Sequence, residues 1–155
     1  MKVKNNWFDM LVDALCAAML AGVTVWLWLI WPDVPQQVPT HYNALGEVDG
    51  WGGKYMVAVL LGLAWVMYVG MTAAEFFPRF WNSGVQITEE NRERVYRTLK
   101  HMLKCSKLLV VSVFAFLVVS TAQAWQSLGA WFLPVFLLLT FGQTIFWMVR
   151  LHRVK

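Results

Sequence analysis

Charged residues are scarce: 14% of 155 positions, against roughly 25% in an average soluble domain. A soluble domain of this size could not solvate its surface with so few, and 59% of the chain is hydrophobic. There are only two cysteines, Cys16 and Cys105. They fall in different hydrophobic runs, so neither a disulfide framework nor a cysteine metal motif is expected, and both read as packing residues. No nucleic-acid-binding motif accompanies the basic residues, so no nucleic-acid partner is expected.

Long hydrophobic runs and tryptophan are abundant instead. Four spans are predicted, at about residues 10–31, 55–77, 108–125 and 131–149. Each has the roughly 18–23 mostly apolar residues needed to cross a hydrocarbon core of about 30 Å. Trp collects at membrane–water interfaces, and there are ten here. The first run reads as a retained span rather than a cleaved leader, because no small-x-small site precedes Pro32. The fold class expected is an all-α integral membrane protein: one domain over residues 1–155, a four-transmembrane-helix bundle with a structured extracytoplasmic loop.

Basic residues set the orientation. Lys2 and Lys4 precede the first span. Seven more, from Arg79 to Lys107, lie between the second and third, and three follow the fourth. That places 12 of 13 on one side, with only Lys54 on the other. The positive-inside rule puts both termini and the middle segment in the cytoplasm of a bacterial inner membrane, with residues 32–54 outside.

The middle segment predicts a cytoplasmic basic helix over 88–107, with Thr88 as N-cap and Glu89 and Glu90 in the first turn. Val95, Leu99, Met102 and Leu103 form an apolar stripe continuing into the third span, so a single helix from Thr88 to about Trp125 is expected. Its Arg and Lys residues, Lys100, Lys104 and Lys107 included, are expected to meet anionic lipid headgroups. Glu75 is expected to pair with Arg79 at i+4, and Gln143 to bond to a neighbouring helix. No ionisable group is placed near the membrane middle, which disfavours a channel or pump. Residues 126–130 form a tight connection between the last two spans.

The 23 residues of the outer connection, 32–54, exceed the length usual for structureless loops, and such loops are often functional. Pro32, Pro35 and Pro39 favour extended backbone, whereas Gly46, Gly50, Gly52 and Gly53 permit tight turns. A stiff arm with a folded return is predicted, packed on the bundle through Val34, Val38, Tyr42, Leu45, Val48 and Trp51. The candidate ligand-binding residues are His41, Tyr42, Asn43, Glu47, Asp49, Trp51 and Lys54. His41 and Asp49 suit an acid/base pair or two ligands of a zinc ion, with Glu47 or Asp33 as a third. The loop lacks a Ser or Cys nucleophile, and its spacing matches no closed metal site. Equally, His41, Asn43, Asp49 and Lys54 could hold the loop's own shape, with Asp49-Gly50 as a turn.

Pro39-Thr40-His41-Tyr42-Asn43, followed by Gly46-Glu47-Val48-Asp49-Gly50-Trp51-Gly52 and Lys54, resembles the hallmark of a bacterial membrane domain of unknown function, DUF1648. That domain forms the N-terminal part of the SdpI-like immunity proteins that protect Bacillus from its own sporulation-delaying toxin. It also occurs in short four-span proteins, whose second shared stretch resembles residues 87–103. The resemblance implies a non-enzymatic role in immunity or signalling. On that reading the 38–54 loop recognises an extracytoplasmic peptide toxin or lipid-linked ligand, with membrane lipids and a membrane-protein partner or second copy as further partners. Alternatives from the residues are a small membrane enzyme built on His41 and Asp49, or an accessory subunit.

Overall fold

The computed structural model describes residues 3–81 and 83–154. Four helices dominate: α1 (Trp7–Ile30), α2 (Tyr55–Ala74), α3 (Arg92–Ala122) and α4 (Phe132–Arg153). All four are long and apolar enough to cross a membrane, which gives a multi-pass architecture. Asn6 caps α1 reciprocally. Its side chain accepts from the Asp9 backbone N–H at 2.9 Å, while Asp9 accepts from that of Asn6 at 3.0 Å. Two orphan donors are satisfied together in this way.

The all-α expectation needs one correction. The connection over residues 32–54 contains a hairpin of two antiparallel strands, β1 (Gln37–Tyr42) and β2 (Val48–Gly53). Its turn lies at residues 43–47, so Asp49-Gly50 sits within β2 rather than at a turn. Asn43 organises that turn: its side-chain oxygen accepts from the N–H groups of Leu45 and Glu47, and its amide donates to Glu47. Gly46 takes φ +78°, and a Cβ there would come within 2.6 Å of the Gly129 carbonyl. Only glycine suits that position.

The long central helix α3 spans roughly 46 Å at the standard rise, and α1, α2 and α4 all pack on it. It starts later than Thr88. Thr88 and Asn91 exchange backbone-to-side-chain bonds in a preceding turn, and regular helix begins at Arg92. It ends at Ala122, before Trp125, as the chain turns through Ala124 at φ 52°. Val34 and Val38 are buried beside Leu27, Val57, Val118 and Ala122, which seats the hairpin on the bundle. Burying each such aliphatic side chain contributes about 1.5–3 kcal/mol. Leu45 and Trp51 stay exposed. The connection after α3 bonds to the hairpin tip, with Leu128 N–H donating to Gly46 and Val48 N–H to Gln126. Helix α4 leaves Leu138, Phe141, Ile145 and Phe146 exposed, and Gln143 ties it to Ser106 of α3 at 3.1 Å.

Candidate functional site

Two polar constellations stand at opposite ends of the bundle. At the hairpin end, β1 brings His41 against Asp49 of β2, Nδ1 to Oδ1. The β-bulge at His41 places it opposite Gly50, whose Cβ, if present, would meet that of His41 at 3.0 Å. The expected pairing of His41 with Asp49 is present. No third His, Cys, Asp or Glu joins them as a metal-ligand set among the described residues. A zinc site here would have to draw its other ligands from elsewhere.

Beneath the hairpin lies a cleft of about 480 Å³. Thr40, His41, Tyr42 and Asn43 form its polar roof. Leu60 of α2, Leu117 and Thr121 of α3, Leu128, and Phe132 and Leu133 of α4 form its walls. It exists because α2 and α4 both lean on α3 and leave a gap at this end of the bundle that the hairpin bridges. Tyr42 fixes the roof by donating to the Trp125 carbonyl at 3.2 Å. Burial raises its phenol above the ordinary tyrosine pKa, against the opposing pull of the Ser120 and Thr121 hydroxyls.

Of the seven candidate residues, only His41, Tyr42 and Asn43 line this cleft. Asp49 reaches it through His41. Glu47 braces the turn. Trp51, opposite Pro39, is half-exposed on β2, and the Lys54 ammonium lies 4.9 Å above the Trp31 ring. Leu117, Thr121 and Phe132 were not legible as site residues, since nothing in their own segments distinguishes them from ordinary span positions.

The second constellation joins α1, α2 and α3 at the other end. Lys107 reaches Asp13 at 2.6 Å and Glu75 at 2.5 Å. Lys104 reaches Asp13 at 2.6 Å and also contacts Glu75. Both lysine side chains are 0% exposed. One turn earlier, Arg97 and Lys100 approach the buried Asp9, and Lys100 also donates to the Val3 carbonyl and Asn5 side chain. These contacts overturn two expectations. Lys100, Lys104 and Lys107 do not face headgroups, because carboxylates on neighbouring helices take them inward. Nor does Glu75 pair with Arg79: α2 ends at Ala74, so no helix carries the i+4 geometry, and Arg79 lies over the Phe80 ring instead. Cys16 is buried and Cys105 half-buried, both as free thiols.

No curated protein and no solved structure matches the chain. A family model described as a domain of unknown function (DUF1648) matches residues 17–66. The matched segment runs from α1 through the whole hairpin to just past the middle of α2, covering every candidate ligand-binding residue of the sequence. This stretch of the chain, hairpin and His41–Asp49 pair included, is thus similar to a DUF1648 domain.

Proposed function

We propose that this protein resides in the bacterial cytoplasmic membrane with the hairpin outside and both termini in the cytoplasm. There it acts without catalysis, recognising an extracytoplasmic amphipathic ligand, whether peptide or lipid-linked, in the cleft below the hairpin. The observation carrying this reading is the cleft itself. Small-molecule sites are concave, mostly apolar and furnished with a few convergent polar groups, in the range of about 300–1,000 Å³. Its apolar walls lie at the level where α2 begins and α3 ends, and its polar roof is the hairpin, so an amphipathic ligand would find each surface in its own environment.

The His41–Asp49 pair is the feature that serves an acid/base reading. No Ser or Cys lines the cleft among the described residues, so a hydrolytic reading would need water or a threonine hydroxyl as its nucleophile. Binding asks less of the same geometry.

Protein extracted from its own membrane in mild detergent should carry bound ligand visible by native mass spectrometry. Leu117→Trp and Leu133→Trp, which fill the cleft, should remove it. Leu138→Ala, on the exposed face of α4, should not. Equal retention in all three variants overturns the cleft as the binding site.

A further inference from the structure

The chemistry of the ligand's polar end follows from what the cleft offers, and this step rests on the cleft being the binding site. Phosphate and carboxylate heads are recognised by Arg, by Lys or by rows of free backbone N–H groups. Neither Lys nor Arg lines the cleft among the described residues. The hairpin's one cation, Lys54, is held over Trp31 and is absent from the lining. Four of the turn's five backbone donors are engaged too: Asn43 donates to the Glu47 carbonyl and Gly46 to that of Asn43, while Leu45 and Glu47 donate to the Asn43 side chain.

Acceptors, in contrast, are present. An ionised carboxylate only accepts hydrogen bonds, so the Asp49 contact places a proton on His41 Nδ1. In the neutral ring Nε2 then presents a lone pair. The His41 side chain is 71% exposed, so that lone pair is free to meet a ligand. Thr40 and Thr121 add hydroxyls that accept as readily as they donate. The wider field has the same sign: residues 31–54 and 123–131 hold Asp33, Glu47 and Asp49 against Lys54 alone.

We infer that the cleft selects a single-chain amphiphile headed by a primary ammonium. The ammonium donates to His41 Nε2 and to the threonine hydroxyls, with Asp49 and Glu47 supplying the opposite charge nearby. Its chain lies against Leu60, Leu117 and Phe132. The cleft volume, about 480 Å³, suits one chain rather than a folded partner.

The test uses the full chain in nanodiscs of zwitterionic lipid, with dodecylamine and dodecyl phosphate as matched probes. Dodecylamine should bind at least about tenfold more tightly than the phosphate. His41→Ala should weaken the amine about fivefold and leave the phosphate unchanged, consistent with one partly solvated hydrogen bond to a charged group. Leu117→Trp should abolish the amine's binding. Tighter binding of dodecyl phosphate overturns the ammonium assignment while leaving the cleft reading standing. Binding of both probes that is indifferent to Leu117→Trp, or of neither, removes the cleft reading itself. An apolar peptide that binds through its free N-terminus where dodecylamine does not overturns the single-chain occupant. Equal loss of both probes on His41→Ala overturns the role given to Nε2.

Discussion

Asn6 and His101 meet through Nδ2 and Nε2 at 3.2 Å, and the helix cap dictates which atom donates. The Asn6 side-chain oxygen is already committed to the Asp9 backbone N–H, so the amide can turn only its NH₂ toward the ring. His101 Nε2 must therefore accept, and the ring's proton sits on Nδ1. Asp9 Oδ1, buried and without a hydrogen-bond partner among the described residues, stands 3.6 Å from that same nitrogen. Nitrogen-15 spectra of histidine-labelled protein should show His101 as the Nδ1–H tautomer at neutral pH. Asn6→Asp, which replaces the donor with an acceptor, should move the proton to Nε2. An Nε2–H signal in the wild type would refute the cap's control.

The Lys107 cluster makes a prediction about pairing. Lys107→Met leaves Asp13 and Glu75 to share Lys104, and breaking such a buried pair costs about 3–5 kcal/mol. Removing a cation and an anion together, as Lys107→Met with Glu75→Leu, should recover most of that loss, since charge balance and apolar packing both return. Thermal unfolding in detergent measures both. A double variant no better than the single would show that the fold needs these particular contacts rather than neutrality.

Gly46→Ala tests the junction between the hairpin tip and the α3–α4 connection. The new Cβ would meet the Gly129 carbonyl at 2.6 Å in a backbone conformation with φ +78°. A loss above about 1 kcal/mol is expected. Amide exchange should rise at Val48 and Leu128, which donate across this junction. Unchanged protection at both would show that the junction relaxes without strain.

Orientation is testable with single cysteines at Glu47 and Gln86, in a background lacking Cys16 and Cys105. In intact cells a membrane-impermeant maleimide should label only position 47. Labelling of position 86 alone would invert the topology and place the cleft on the cytoplasmic side.

The helices were readable because each rests on a long local pattern of apolar residues. What escaped depends on partners distant in sequence. Lys104 and Lys107 look like surface cations within their own segment, and only the return of α1 and α2 brings Asp13 and Glu75 to them. The hairpin escaped for a different reason. Four glycines and three prolines argue against strand by propensity, yet Pro39 sits beside the bulge of β1. Gly52 is required on β2, because a Cβ there would meet Thr40 Cγ2 at 2.6 Å. The His41–Asp49 pair was legible since both residues lie in one short return. A third of the cleft's lining was not, being supplied by α3 and α4 side chains far along the chain.

The Lys104–Lys107 cluster also imposes an order on biosynthesis. Proteins emerge N-terminus first, so Asp13 and Glu75 are made before the lysines they neutralise. For a chain entering a bilayer, α3 arrives with Lys104 and Lys107 at the start of its apolar stretch, each ammonium costly to leave bare in hydrocarbon. It can settle only against an earlier pair of helices whose carboxylates are already waiting. The first half of the protein thus serves as the docking template for the second, and the helix that completes the cleft, α4, follows last.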